Sequence, residues 1–214
     1  MNLLRALFSI LFVLISQSSI ASDWVFKKSE NVLGIKVFVR DVLGSNFKEF
    51  KAVTRVQSTL GGVVSLLADS DNSHNWVHNM RSNKVLKRAG TTSIAHSTTH
   101  SKLIISARDN VIESSLEQDW DTNAVTISFR SRPDYLPETD GVVRVPYAKG
   151  KYVLTPEENG WVEVLFQVHA DPGGYIPAFL YNRALPKSPI NTLSGMHRQI
   201  YKYNKKTMAA IDEP

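Results

Sequence analysis

Short segments that alternate apolar and polar residues run through most of the chain. In "GIKVFVRDV", Ile35, Val37 and Val39 share one face, which is typical of a half-buried strand. Segments of similar length follow: "FKEFKAVTRVQ", where a helix is the alternative, then "NKVLKRAG", "TSIAHSTTH", "NVIESSLEQD", "AVTISFRSR", "GVVRVPYAKGKYVLT" and "WVEVLFQVHA". Turn formers divide them, at Ala89-Gly90, Asp121-Thr122-Asn123, Pro133-Asp134, Asp140-Gly141, Lys149-Gly150 and Asn159-Gly160. The pattern predicts a meandering antiparallel sheet.

Helical periodicity is confined to two regions. Between residues 58 and 80, one apolar face predicts a helix, and Asp71 or Ser73 is placed to cap a second, short helix that carries Trp76. The second region follows Pro177, a residue suited to the first turn of a helix. Beyond Ser188-Pro189 it carries an apolar stripe at steps of three and four residues: Ile190, Leu193, Met196, Ile200 and Tyr203. We therefore expect a long C-terminal amphipathic helix, broken near residues 186–189.

Early helices, a central run of antiparallel strands and a last long helix predict an α+β fold. A curved sheet that wraps a long helix without burying it tightly would leave a hollow between the two. We expect residues 22–214 to form one domain of this kind, since two domains would be cramped in that length.

Residues 1–21 have the layout of a secretory signal peptide. Arg5 precedes the apolar run "ALFSILFVLI", and small residues follow it, with Ser19-Ile20-Ala21 at the expected cleavage site. An uncleaved N-terminal anchor is the alternative. The pattern predicts a periplasmic or secreted protein. The chain has no cysteine, which excludes disulfides and a cysteine-linked lipid anchor. Its formal charge of +5 is scattered apart from "YKYNKK", and favours solubility and attraction to anionic membranes.

One long stretch, "QVHADPGGYIPAFLYN", together with "GVVRVP" upstream and "RDNV" from Arg108, resembles the START lipid-transfer domains. The likeness is to their single-domain exported bacterial members and spans roughly Trp24 to Tyr203. It implies a helix-grip fold, in which a curved antiparallel sheet grips the C-terminal helix and encloses an apolar cavity. The Pro-Gly-Gly corner would carry the chain from the last strand into that helix, since glycine permits backbone angles closed to other residues.

The resemblance implies a carrier that binds one lipid or other hydrophobic molecule and touches a membrane transiently. We expect no enzyme activity, no cofactor, no nucleic-acid partner and a monomer. Cholesterol-type relatives place a buried Glu–Arg pair in the cavity, and the matching positions here are Ala95 and Ser114. Neither can carry a charge, so a charged anchor for a sterol is not expected.

We predict that twelve residues contact the ligand. Those on strands are chosen from the alternation of faces along a strand. They are Arg108, Asp109, Ile112, Ser114, Leu116, Ile127, Phe129, Phe166, Phe179, Leu193, Met196 and Ile200. An ordinary core role is the alternative for each apolar member. A structural role at the turn is the alternative for Arg108-Asp109, because adjacent strand residues point to opposite faces unless a bulge intervenes.

Two other functions remain open from the sequence. His169 is the candidate for acid–base chemistry in an enzyme of the same fold, with Asp171 close in sequence, although a role in stabilising the turn is the alternative. A sensor or interaction module of the cell envelope would present an exposed apolar patch. His74 and His78 are spaced as metal ligands on one helix face, but no third ligand is evident.

Overall fold

The computed structural model describes residues 22–101 and 106–214, and the signal-peptide pattern at residues 1–21 lies outside them. The described residues form ten strands and three α-helices, with short 3₁₀ turns between them. The strands are β1 (Val25–Glu30), β2 (Ile35–Arg40), β3 (Glu49–Gln57), β4 (Met80–Ala89), β5 (Thr92–Thr99), β6 (Arg108–Gln118), β7 (Val125–Ser131), β8 (Val143–Arg144), β9 (Tyr147–Glu157) and β10 (Trp161–Asp171). The helices are α1 (Leu60–Ala68), α2 (Ala178–Ala184) and α3 (Lys187–Gln199).

The strands form one sheet in the order β1-β2-β3-β10-β9-β7-β6-β5-β4. Neighbours along this order are antiparallel, and the short β8 runs parallel to β6 beside it. Together with the C-terminal helices the sheet gives the expected α+β, helix-grip architecture.

The two faces of the sheet have different environments. On β10, Val162, Val164 and Phe166 pack with α1 and α3, and we call this side of the sheet the inner face. Residues paired directly across strands share a face, so the register assigns the residues of the other strands to the inner or the outer face. The odd-numbered residues of β10, including Gln167 and His169, belong to the outer face.

The apolar stripe of the last helix fills one half of the inner face. Leu193 and Met196 of α3 are fully buried, and Ile190, Ile200 and Tyr203 are nearly so. α3 packs chiefly on β2 and β3, so the predicted amphipathic helix and its break before residue 187 are confirmed. No helix among the described residues is both long and apolar enough to cross a membrane.

The Pro-Gly-Gly corner carries the chain from β10 to α2. Gly173 and Gly174 have φ values of 66° and 64°, in the region that favours glycine. A Cβ on Gly173 would lie 2.8 Å from the backbone oxygen of Arg144, so the corner also requires glycine because there is no room for a side chain. Pro177 stands directly before α2, as predicted.

Three details differ from the pattern-based prediction. β1 was not predicted, because Lys27 and Lys28 interrupt its alternation and it lies exposed at the sheet edge with a bulge. Pro146 separates β8 from β9, which the pattern merged. Lys149-Gly150 is not a turn but lies within β9, where the ring of Phe129 occupies the space that a side chain on Gly150 would need.

Candidate functional site

The inner face is only half covered by helices. Under α3, inner residues of β2, β3 and β10 such as Val37, Ala52 and Val164 are fully buried. On β6 and β7 the inner residues other than the buried Val125 are only partly buried. This second half of the inner face, which we call the open wall, comprises Ile112, Ser114, Leu116, Ile127 and Phe129. The structure therefore brings five of the predicted ligand residues together on two adjacent strands.

Polar groups on the open wall are uncharged and paired with each other. Ser114 lies opposite Ser93, and their hydroxyl oxygens are 2.9 Å apart. Ala95 lies opposite Ile112 on the same face. The two positions where an ion pair would be expected in cholesterol-type relatives therefore hold a small apolar side chain and a hydroxyl.

Tyr152 is an inner residue that sequence reasoning missed. Its ring stacks on Phe166 with centroids 4.3 Å apart and lies beside Phe129. Burial raises the pKa of the Tyr152 phenol, so it is neutral, and no hydrogen bond within the described residues engages its hydroxyl. The alternation of Tyr152 with Leu154 along β9 is the signal that could have identified it, had the Gly150 turn not been assumed.

The predicted ligand residues on α3 lie in the main core. Leu193 and Met196 have no exposed surface, and Ile200 is 8% exposed. They pack in one cluster with Val164, and the partly buried Phe166 packs against it. Their contact with a ligand stays a prediction, while the packing role is directly visible.

Arg108 holds the Pro-Gly-Gly corner. Its guanidinium donates hydrogen bonds to the backbone oxygens of Pro172 (3.1 Å), Gly173 (3.3 Å) and Ser106 (2.7 Å). These three bonds give Arg108 a structural role at the turn that leads into α2. Its contact with a ligand stays a prediction.

Asp109 points away from Arg108, to the outer face, where it is 2% exposed. Both of its carboxylate oxygens accept hydrogen bonds from Arg144 at 2.9 Å, and His96 Nε2 lies 2.9 Å from Oδ2. Burial raises the pKa of Asp109, but the hydrogen bonds from Arg144 and His96 outweigh it and hold the pKa below the ordinary value. Arg144 also donates to the carbonyls of Leu136 and Pro137, so the pair ties the 133–137 segment to the back of the open wall.

His169 lies on the outer face, on the side of the sheet away from α3. Its Nε2 lies 3.1 Å from the Ser45 hydroxyl and 3.2 Å from the Phe47 carbonyl. Asp171 instead accepts a hydrogen bond from the Gly173 backbone N–H at 2.9 Å, which is the turn-stabilising role. The described part of the chain therefore shows no contact between the two residues that an acid–base function would combine.

No group of three or more His, Asp or Glu side chains is placed to hold a metal ion within residues 22–101 and 106–214. His78 Nδ1 lies 3.1 Å from the Asn191 side-chain nitrogen, which connects the loop before β4 to α3. His78 is therefore engaged in helix packing.

Phe179 lies on α2 and is 70% exposed, and its contact with a ligand stays a prediction. Leu180 of the same helix and Tyr175 of the corner are also exposed. The side chain of Asn182 bonds to the backbone of Asn46 and Lys48, which fastens α2 to the β2–β3 loop. Solvent-exposed Leu43 lies in that loop, so four of the exposed apolar residues belong to the corner, α2 and this loop, while others such as Trp120 and Trp161 lie elsewhere.

A family model and solved structures agree on the family of this chain, and a curated relative is similar over most of its length. A model of the START domain matches residues 18–207. An uncharacterised protein of Pseudomonas aeruginosa is 32% identical over 182 residues, covering 85% of this chain and 89% of that protein. A crystal structure of a STAR-related lipid transfer protein from Xanthomonas axonopodis has a TM-score of 0.77 at 32% identity, and covers 83% of this chain and 98% of that one. Human StAR-related lipid transfer protein 5 shares the fold, with a TM-score of 0.75, 17% identity, and coverage of 84% and 87%.

Proposed function

The chain belongs to the START domain family, and we propose that it binds one lipid or other hydrophobic molecule between the open wall and the C-terminal helices. It carries this molecule without covalent chemistry. The leader pattern at residues 1–21 supports a periplasmic or secreted location as part of the same proposal.

The partial exposure of the open wall is the observation that carries the proposal. A packed sheet face normally buries its apolar side chains, yet Ile112, Leu116 and Ile127 keep accessible surface on the same face that α3 seals elsewhere. A ligand would bury that surface. A lipid tail of 16 carbons exposed to water costs on the order of 12 kcal/mol at about 0.8 kcal/mol per methylene, so a carrier gains affinity by enclosing it.

The polar groups of the wall favour an amphipathic ligand with an uncharged polar group. The Ser93–Ser114 hydroxyl pair and the Tyr152 hydroxyl are the neutral hydrogen-bonding groups beside the apolar surface. A fully buried charged headgroup among these groups would lack a counter-ion, which is costly, since the cation on this face of β6, Arg108, is engaged by backbone carbonyls at the corner.

We propose that ligand enters at the end formed by the corner, α2 and the β2–β3 loop. Exposed Tyr175, Phe179 and Leu180 are suited to contact the interfacial region of a membrane, where aromatic side chains are favoured. The corner is held by the Arg108 hydrogen bonds and α2 by those of Asn182, so opening this end would break these bonds together with the small apolar cluster around Leu185.

The test begins with the chain from Ser22, which contains every described element of the fold. It is purified without detergent, analysed by native mass spectrometry and extracted for bound lipid. We expect a discrete extra mass that is extracted as one lipid class. A protein that stays without ligand after incubation with mixed lipid vesicles would overturn the proposal.

A matched pair of variants locates the site. Ile127 faces the open wall and its neighbour Thr126 faces outward. Ile127→Trp should reduce bound lipid at least several-fold because the indole fills the space beside the wall, whereas Thr126→Trp should not. Equal lipid content in the two variants would place the ligand elsewhere.

A further inference from the structure

The outer face of the sheet carries a polar groove of about 680 Å³. It runs across β6, β7, β9 and β10, behind the strands whose inner side is the open wall. Charged and hydroxyl-bearing residues dominate its lining, in particular Arg130, Lys149, Lys151, Ser115 and Ser128. A groove of this size is ample for a small polar ligand.

The register arranges the cations of the groove in an unfavourable way. Lys149 lies directly opposite Arg130 on β7. Like charges placed directly opposite across strands destabilise a sheet. Lys151 adds a second ammonium on the same face, about 7 Å along the strand.

The two carboxylates of the groove are already engaged by arginines. Glu113 accepts hydrogen bonds from Arg130 and Arg132, which lower its pKa and keep it ionised. Glu49 pairs with Arg40 at 2.6 Å. Among the described residues, no ion pair or hydrogen bond engages the ammonium group of Lys149 or Lys151.

We propose that this groove binds a small phosphate-bearing anion at Lys149 and Lys151. A phosphate oxygen between the two ammonium groups would relieve the repulsion around Lys149. The hydroxyls of Ser115 and Ser128, in the row paired with Lys151, would donate to the remaining oxygens. Lys149 and Lys151 lie on the opposite face of the sheet from the open wall, although Ser114 and Phe129 of the wall also border the groove, and the proposal goes beyond the carriage of a lipid.

Calorimetric titration with inorganic pyrophosphate, at low salt, tests the site on the chain from Ser22. The double variant Lys149→Gln, Lys151→Gln should weaken pyrophosphate binding at least about tenfold, since it removes two charge-assisted bonds. The matched control, Lys84→Gln with Lys87→Gln on β4, makes the same change in net charge outside the groove and should leave the affinity within about twofold. Both pairs are exposed, so both variants are expected to fold.

A second arm separates a soluble phosphate from a lipid headgroup. Binding to phosphatidylglycerol vesicles is compared with binding to phosphatidylcholine vesicles for the same proteins. Pyrophosphate binding that needs Lys149 and Lys151 supports a soluble ligand, and phosphatidylglycerol binding that needs them supports a headgroup. If neither depends on these lysines, or if the β4 control loses as much, the proposal is wrong. Lipid content by native mass spectrometry in the same variants reports on the inner site independently.

Discussion

The covered half of the inner face and the open wall belong to the same sheet but are stabilised differently. Under α3, residues such as Ile35, Ala52 and Val164 have no exposed surface, and their neighbours on the helix are equally buried. On β6 and β7 the side chains of the open wall keep accessible surface, although inner Val125 is fully buried, and the buried Asp109–Arg144 pair lies behind them. One half is held by apolar packing against a helix, whereas the other only borders that core through Leu116 and Ile127 and is supported in addition by an ionic network on its outer side.

This difference separates stability from ligand binding along the sheet. A wall that must meet a variable ligand cannot also depend on tight packing against its own helix, because ligand would have to replace that packing. Support from the outer side leaves the inner side available. Substitutions in the two halves should therefore differ both in their cost in stability and in their effect on lipid.

Loss of the buried Asp109–Arg144 pair should cause the largest decrease in the free energy of unfolding. Asp109→Ala leaves the Arg144 guanidinium, itself 7% exposed as a residue, without its anionic partner. Breaking one partner of a buried ion pair costs about 3–5 kcal/mol of unfolding free energy. Urea denaturation followed by circular dichroism measures it.

Glu113→Ala is the matched control for Asp109→Ala. Both carboxylates lie on the outer face of β6, but Glu113 forms solvent-accessible pairs with Arg130 and Arg132. Such solvent-exposed pairs contribute little to the free energy of unfolding, so Glu113→Ala should cost much less than Asp109→Ala. The double variant Asp109→Ala, Arg144→Leu should recover part of the loss, since no unpaired charge remains. Similar costs for Asp109→Ala and Glu113→Ala would show that the ionic network does not support the wall.

A pair of leucine truncations compares the two halves directly. Leu193→Ala removes a fully buried side chain from the core and should cost about 3 kcal/mol. Leu116→Ala, on the open wall, should cost about 1 kcal/mol because its side chain is only partly buried. It should nevertheless change the amount of lipid that the protein binds. Thermal unfolding and native mass spectrometry on both variants measure the two effects. A Leu116→Ala cost equal to that of Leu193→Ala would mean that the wall is ordinary core.

The sequence predicted most of the elements because their signals are local. Alternation located β2 and β10, and the stripe from Ile190 to Tyr203 located the last helix. The same reasoning could not pair Asp109 with Arg144, which lies 35 residues away in sequence and meets it only through the β6–β8 register. Nor could it separate Leu193 from Ile127, since both carry the same apolar signal and differ only in what covers them.

Phe179 and His169 show a second limit of the sequence. Phe179 belongs to an apolar helix, but its exposure depends on how α2 is fastened to the β2–β3 loop through Asn182. His169 lies at the end of a strand whose alternate residues face inward, and only the register shows that it is an outer residue. The direction of a side chain at the end of an element depends on distant partners, which patterns do not contain.

Acidification should cause the smallest decrease in stability. It acts through His197, which lies on the covered half of the inner face. His197 lies on α3, with Nε2 2.9 Å from the Thr54 hydroxyl, and burial lowers its pKa although Glu30 opposes this. A pKa lower in the folded chain than in the unfolded one means that the contribution to stability is complete above about pH 6.5 and is lost as pH falls through the folded value. The urea midpoint should therefore decrease as pH falls below about 6.5, where an ordinary histidine becomes protonated. His197→Gln should flatten this dependence, while His74→Gln, at an exposed position, should keep it. An unchanged slope in His197→Gln would mean that protonation of this buried ring does not weaken the packing of α3 on the sheet.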